Sequence, residues 1–444
     1  MLKRDQAQQL IRKILSYSKA DEAEVAISGG TVTHLRFARN TPSTSGSSSG
    51  PEVTIKSSFG KKTGAVSVNQ LDDATLRRGV ARSEEMARLA PDDPEHMPSL
   101  PQQDYAQVPA YFETTASQGA RRMAEGVAAC IGAARARDFV AAGFARTAAE
   151  YEAVGNSRGL FGHHLSTAAS LSTTVRTADG TGSGYAAKVS RRIEDIDYAD
   201  AARIAVEKAA ASHKPRELKP GKYVTILEPG CVANMLEGLV AGMDRRRADE
   251  GRSYFASRKR SGTRLGERLF DADIDIRTDP RDQRCPARPW GEDGVPQAAR
   301  AWIDRGKLAG LPCDRFWASQ QKTEPVPEPA NLIMKGGSGS LADLIRSTRR
   351  GVLVTSFWYI RFVDPQTLLF TGLTRDGVFW IEGGEIAYPV NNFRWNESPV
   401  SVLKKVEAMS AAELAPPRGE ERPFTVVPAL RVADFNFASV SDAV

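Results

Sequence analysis

Residues 223–243 read YVTILEPGCVANMLEGLVAGM, and they predict a strand, a turn and a helix in direct succession. Tyr223–Leu227 is the strand, because β-branched and aromatic side chains dominate it. The Pro and Gly that follow end the strand, and Pro is favoured in the first turn of a helix. Apolar residues then recur at helical spacing over 231–243. We place the start of a β-rich C-terminal domain just before this stretch and predict that it covers residues 220–444.

Strand patterns dominate the sequence from residue 273 onward. The clearest runs are Val352–Ile360, Leu368–Leu373, Gly377–Glu382 and Glu385–Pro389. Two helices are predicted among them: Leu341–Arg350, with Ser340 as N-cap and Asp343 three residues later, and residues 398–409. Strands and helices do not alternate steadily as they do in a parallel α/β protein. The pattern therefore favours an α+β fold.

The chain upstream of the C-terminal domain predicts two smaller mixed units of helices and strands. Residues 1–90 combine hairpin patterns with helices and form a predicted N-terminal α+β domain. A segment rich in Pro, Asp and Gln, residues 91–110, is a predicted linker. Residues 111–215 predict a central domain in which an Ala-rich helix precedes a β-meander.

Two local expectations concern the first of these units. Residues 41–51, TPSTSGSSSGP, are of low complexity and predict a mobile loop. Residues 73–90 predict a helix with Leu76, Val80 and Met86 on its inward face.

Composition places the chain among ordinary soluble proteins. Its 444 residues are 41% hydrophobic and 26% charged, with a net charge of +6. The richest apolar run, Gly351–Ile360, is too short to span a bilayer, and the N-terminus lacks the apolar core of a signal peptide. We therefore predict a cytoplasmic protein. The four cysteines form no CxxC motif, and the adjacent His163 and His164 point to opposite faces of a strand pattern, so neither set predicts a metal site.

One segment is distinctly basic. Residues 244–268 carry nine Lys and Arg against four Asp and Glu, with Tyr254 and Phe255 interleaved. Such a segment can contact nucleic acid or another protein. The remaining sequence does not repeat the pattern, so we expect a solvated or protein-contacting segment and regard nucleic-acid binding as unlikely.

Several ordered stretches of the C-terminal domain resemble the TldD/PmbA family, whose PmbA branch is also called TldE. The matching stretches are Tyr223–Gly230, Gly251–Phe255, Arg264–Phe270, Gly291–Pro296, Leu341–Ile345, Arg350–Thr355 with Phe357–Tyr359, and Gly377–Val390. The resemblance implies a cytosolic assembly related to zinc metalloproteases that degrades or trims peptides. Members are also described as modulators of DNA gyrase.

The TldD branch of this family carries an H-E-x-x-x-H helix that, with a later Cys, holds zinc for proteolysis. In this sequence the corresponding positions fall on Glu237–Gly242, with Glu237 at the first His position and Gly242 at the second. No His follows His213 and no Cys follows Cys313. The resemblance therefore implies the metal-free, PmbA-like branch: this chain binds no cofactor, and zinc is expected only in a TldD-like partner. We assign no catalytic residue.

The resemblance further implies a subunit that binds extended peptide beside a catalytic paralogue. Exposed strand edges can add a peptide as a further strand while tolerating many sequences. The candidate peptide-binding residues are Phe357, Trp358, Tyr359, Phe379 and Trp380. The expected partners are a TldD-like paralogue or a second copy of the chain, together with unfolded or extended peptides, and no membrane.

Two other functions remain open from the sequence. The first is a stand-alone homodimeric binding protein of the same fold without proteolytic activity. The second is an enzyme that uses Cys231 or Cys313 as nucleophile. Cys231 lies at the start of the predicted helix, where the helix dipole can lower the pKa of a thiol.

Overall fold

A six-stranded antiparallel sheet organises the first half of the chain in the computed structural model, which describes residues 1–258, 262–416, 418 and 424–442. Its strands in chain order are β1 (Glu22–Ala38), β2 (Thr41–Phe59), β3 (Lys62–Val68), β4 (Val140–Asn156), β5 (Phe161–Arg176) and β6 (Ser183–Ser190). In space the order is β3-β2-β1-β4-β5-β6. Because β1 pairs with β4, strands from both of the first two predicted units share one sheet.

Four helices cover one face of this sheet. They are α1 (Arg4–Leu15), α2 (Asp73–Leu89), α3 (Glu113–Arg135) and α4 (Tyr198–Ala211). Alternate strand residues such as Val25 and Leu171 point into the helix layer, as the period of two in a strand requires. Leu76 and Val80 of α2 are buried as predicted, whereas Met86 is 41% exposed, so its assignment to the inward face was wrong.

The predicted loop over residues 41–51 is instead part of strand β2. The segment pairs with β1 in an antiparallel register from Thr41 opposite Ala38 to Pro51 opposite Gly29, with one register shift between Arg36 and Phe37. Nearly all of its side chains are exposed. A strand that is exposed on both faces has no alternation of apolar and polar residues, so the sequence pattern contains no strand signal here.

The C-terminal half is built from short strands. They are β7 (Gly221–Leu227), β8 (Ile276–Thr278), β9 (Arg300–Asp304), β10 (Lys307–Leu308), β11 (Leu332–Met334), β12 (Arg350–Val354), β13 (Phe357–Asp364), β14 (Leu369–Thr374), β15 (Val378–Glu382), β16 (Glu385–Pro389), β17 (Asn392–Glu397), β18 (Val406–Met409), β19 (Glu413–Leu414), β20 (Thr425–Val427) and β21 (Leu430–Ser441). Its helices are α5 (Pro229–Ala241), α6 (Arg245–Asp249), α7 (Arg315–Gln321), α8 (Leu341–Arg346) and α9 (Pro399–Lys404).

These strands form two sheets. The larger has the order β13-β14-β17-β21-β7-β12-β15-β16, with β18 beside β21, and the smaller has the order β10-β9-β8-β11-β20-β19. Strand β7 therefore lies in the middle of the larger sheet, and α5 follows it directly, as the sequence predicts. The mixed helices and open sheets confirm the α+β class.

Helix lengths in this half differ from the sequence predictions at two places. The helix predicted over 341–350 ends at Arg346, although its capping box between Ser340 and Asp343 is present. The helix predicted over 398–409 is the short α9 followed by strand β18. Residues 406–409 pair with β21, and this tertiary ladder outweighs their helical pattern. Among the described residues, no helix is both long and apolar enough to cross a membrane.

Two glycines of α3 provide a test of how closely α3 and α4 pack. A Cβ atom at Gly126 would lie 2.2 Å from the Tyr198 ring, whereas one at Gly132 would meet nothing within 4 Å. We expect Gly126→Ala to lower the free energy of unfolding by about 1–3 kcal/mol. Gly132→Ala should raise it by about 0.5–1 kcal/mol, because Ala is the better helix former. Denaturant unfolding of both variants checks this, and equal effects would contradict the packing.

Candidate functional site: helix α5 and the edge of the large sheet

The positions that correspond to the H-E-x-x-x-H motif lie at the end of α5, with Gly242 directly after its last residue. Gly238 faces Phe370 of strand β14, and Gly242 faces Leu368 just before that strand. A Cβ atom at Gly238 would lie 3.0 Å from Cζ of Phe370, and one at Gly242 would lie 2.2 Å from Cδ2 of Leu368. Phe370 and Leu368 are both buried and belong to the main core of the C-terminal half. The space that a second zinc-binding imidazole would need is therefore filled by apolar side chains.

Zinc does not fit the residues that are present at this position. A catalytic zinc needs three protein ligands drawn from His, Cys and carboxylates. Glu237 is the one residue of these types among Glu237, Gly238 and Gly242. Within the described part of the chain, no group of three His, Cys, Asp or Glu side chains is arranged to hold a metal ion.

The two candidate nucleophilic cysteines are buried. Cys231 is fully buried, and its Sγ lies 3.7 Å from the carbonyl oxygen of Val354. Burial, with Glu228 nearby, holds the pKa of the Cys231 thiol well above its usual range, so the expected lowering by the helix dipole is wrong. Burial likewise raises the pKa of Cys313 to about 11. Both thiols are therefore protonated and poorly accessible at neutral pH.

The five candidate peptide-binding residues fall into two groups. Phe357 is 1% exposed and packs on Trp395 with ring centroids 4.7 Å apart, and Phe379 is 2% exposed in a second core cluster. Trp380 is half-buried and makes an edge contact with Tyr223. In contrast, Trp358 is 40% exposed and Tyr359 is 54% exposed. The rings of Phe357 and Phe379 therefore stabilise the core, and of the five residues only Trp358 and Tyr359 are exposed.

The two strands that carry these aromatics differ in their neighbours. Strand β15, which carries Phe379 and Trp380, pairs with β12 on one side and β16 on the other, so it offers no free edge. Strand β13 pairs with β14 and ends the sheet within the described part of the chain. Of the two strands that carry these aromatics, only β13 therefore has a free edge for strand addition within the described residues.

The β13 edge is irregular where the exposed aromatics lie. The pairing register shifts between Trp358 and Arg361, and Tyr359 has a φ of 52°. A bulge of this kind redirects side chains and is frequent next to functional sites. The guanidinium of Arg361 lies 4.2 Å from the Tyr359 ring centroid. The bulge therefore holds both rings on the surface.

A buried ion pair lies against the ring of Trp358. Arg418 pairs with Asp376, whose side chain is fully buried, and it donates a second bond of 2.6 Å to Ser356 Oγ. Ser183 of β6 donates to the same carboxylate. The Arg418 guanidinium lies 4.9 Å from the Trp358 ring. This network joins the first sheet to the edge of the large sheet.

Sequence analysis did not identify Asp376, Arg418 or Ser183. They lie far apart along the chain, and none belongs to a motif. The one local signal is the Asp376-Gly377 pair, a turn dipeptide in which both residues have positive φ. That signal predicts a turn but says nothing of a charged partner.

A cleft of about 470 Å³ adjoins this network at the start of α5. Tyr185 and Thr355 line it, and the Tyr185 ring lies 4.2 Å from the Arg418 guanidinium. Lys208 and Glu228 also line it and form an ion pair of 2.6 Å. Arg418 therefore lies between Trp358 and Tyr185, and Tyr185 lines the cleft beside the turn before α5.

The basic segment 244–268 is largely neutralised where the structure describes it. Residues 259–261 lie outside the described residues. Arg246 pairs with Glu95 at 2.6 Å, and Arg245 pairs with Asp249 at 2.8 Å. Phe255 is fully buried. These contacts tie the described part of the segment into the fold.

Comparison with known proteins matches both halves of the chain. Residues 113–212 match the central domain and residues 220–439 the C-terminal domain of the PmbA/TldA metallopeptidases. These matches define a protein of metallopeptidase-related architecture. The chain belongs to the PmbA/TldD family. No curated protein sequence gave a significant match.

Solved structures show the same fold at low sequence identity. TldE from Thermococcus kodakarensis is 19% identical, with a TM-score of 0.87 over 97% of this chain and 99% of that one. A proposed modulator of a DNA gyrase from Thermotoga maritima is 17% identical, with a TM-score of 0.84 over 97% and 99%. A similarly described protein from Bacteroides thetaiotaomicron is 17% identical, with a TM-score of 0.83 over 99% and 100%.

The contact between α5 and Leu368 can be tested with alanine. We expect Gly242→Ala to lower the free energy of unfolding by about 1–3 kcal/mol, because its methyl group overlaps Leu368. Gly230→Ala, in the same helix, is the control, since its Cβ would lie 3.8 Å from the nearest atom. In a Leu368→Ala background the cost of Gly242→Ala should shrink. Equal costs in both backgrounds, measured by denaturant unfolding, would contradict the contact.

Proposed function

We propose that this chain is the non-zinc subunit of a peptide-processing assembly, in which it binds extended peptide while an H-E-x-x-x-H paralogue supplies the zinc. The observation that carries the proposal is the packing of Phe370 and Leu368 against Gly238 and Gly242. This packing fills the positions that correspond to the H-E-x-x-x-H motif, in a chain that belongs to a metallopeptidase-related family. The proposal explains why this chain keeps the family fold although it lacks the zinc-binding residues of the TldD branch.

The β13 edge supports the peptide-binding part of the proposal. An extended peptide added to β13 would bond to main-chain groups, which every sequence carries. Trp358 and Tyr359 would provide apolar contact at the same place, and exposed Trp and Tyr residues often dominate binding energy. The ion pair of Arg418 with Asp376 would hold Trp358 in position during binding.

Reconstitution with the paralogue tests the catalytic part. We expect this chain alone to hydrolyse no peptide, and we expect it to form a stoichiometric complex with an H-E-x-x-x-H paralogue from the same cells. Proteolysis by the complex should require the Glu of the paralogue motif. Recovery of this chain only as a homodimer, with no hydrolysis in any mixture, would favour the stand-alone binding protein instead.

Replacement of Trp358 tests the peptide site. We expect Trp358→Ala to weaken binding of a labelled unstructured peptide about 30-fold, because a hot-spot aromatic contributes about 2 kcal/mol. Ile386→Ala is the matched control, since Ile386 is similarly exposed on β16 at the opposite edge of the same sheet. Fluorescence anisotropy of both variants measures the effect. Equal affinities for the two variants would exclude the β13 edge as the site.

A further inference from the structure

A larger cleft, of about 660 Å³, lies between the first sheet and the C-terminal half, away from β13. Its inner wall comes from the first sheet and includes Glu152, His164 and Ser166. Its outer wall comes from loops of the C-terminal half, including residues around Trp290 and the proline-rich stretch 325–330. Neither the motif positions on α5 nor the exposed aromatics of β13 line it.

The inner wall contains a buried imidazole with an unused hydrogen-bonding group. His164 is 5% exposed, and its Nε2 has no hydrogen-bond partner among the described residues. Burial, together with Arg191 and Arg288, lowers the pKa of His164 to about 3, so the ring is neutral at physiological pH. A buried polar atom without a partner is costly to the folded state. A ligand that bonds to it would remove that cost.

The cleft is strongly acidic. Six carboxylates and two guanidinium groups line it: Glu152, Asp244, Glu292, Asp293, Asp314 and Glu328, against Arg191 and Arg288. Arg288 already pairs with Glu152 at 2.9 Å, and Arg191 donates to the carbonyl oxygens of Thr167 and Pro286. The remaining carboxylates belong to the loops of the C-terminal half. Glu292, Asp293 and Glu328 are exposed at the mouth.

An aromatic ring packs against the imidazole of the inner wall. Trp290 makes an edge contact with His164, with centroids 6.3 Å apart, and it packs on Tyr105 at 5.1 Å. Tyr105 fixes the neighbouring loop by donating a bond of 2.7 Å to the carbonyl oxygen of Gly294. Indole rings attract cations through their faces. The dispersed carboxylates suit a spread-out organic charge better than a metal ion, which needs converging ligands.

We propose that this cleft binds an organic cation, namely a ligand that carries an ammonium or guanidinium group. The charged end lies at the mouth near Glu292 and Glu328, away from Arg191 and Arg288. The rest of the ligand packs against Trp290, and one of its N–H groups donates a hydrogen bond to Nε2 of His164. The same chemistry is offered by a basic side chain of a peptide and by a free polyamine.

Calorimetric titration of the full-length protein tests this site with three probes: spermidine, an end-blocked peptide with one Lys, and the same peptide with norleucine instead. We expect a cationic probe to bind and the norleucine peptide to bind at least tenfold more weakly. Tighter binding of spermidine would identify a free polyamine as the ligand, and tighter binding of the Lys peptide a basic side chain. Failure of both cationic probes to bind, or equal binding of the norleucine peptide, would overturn the proposal.

Three variants locate the binding. The double variant Glu292→Gln with Glu328→Gln changes exposed residues and should weaken binding at least tenfold. His164→Phe keeps the ring but removes both nitrogens and should weaken it severalfold. Glu385→Gln on exposed β16 is the matched control and should leave binding unchanged. Unchanged binding in the folded double variant would overturn the site, whereas the Trp358 experiment would be unaffected by that outcome.

Discussion

The close contact between α5 and β14 is the constraint on which the C-terminal half depends. Helix α5 follows the central strand of the large sheet, so everything on either side must pack around it. Two glycines allow Phe370 and Leu368 to approach the helix closely and fill the core. The same contact removes the room for zinc-binding imidazoles. In this chain the packing of the core fills the space at the positions that correspond to the motif.

A second constraint joins the two halves of the molecule. The carboxylate of Asp376 is fully buried and is satisfied by Arg418 from the C-terminal half and by Ser183 from the first sheet. Breaking such a pair by removing one partner costs far more than the pair contributes, since the other charge stays buried. The network therefore fixes the sheet edge that carries Trp358 relative to the first sheet, and a peptide on β13 would meet a prearranged surface.

The sequence predicts most helices and strands. It does not predict which side chains are buried or which charged side chains pair with each other. The strand, turn and helix of 223–243 can be identified because apolar spacing is a local property, whereas Glu237 and Gly242 are singled out only by the resemblance to the family motif. The segment 41–51 could not be recognised as a strand, because its backbone ladder with β1 leaves no trace in side-chain polarity. Burial likewise decides between Trp358 and Phe357, which are neighbours in sequence and alternate between surface and core. Cys231 shows the same limit, since desolvation outweighs the helix dipole only once burial is known.

The two proposed sites would divide the recognition of an extended ligand between them. Strand β13 offers main-chain groups and aromatic rings, which can bind peptides of many different sequences. The acidic cleft offers carboxylates and a neutral imidazole, which discriminate by charge. A binding protein without its own catalytic group gains selectivity only through differences in affinity. Main-chain binding at one edge and charge selection in a separate cleft would allow a non-catalytic subunit to accept many backbones and still prefer some ligands over others.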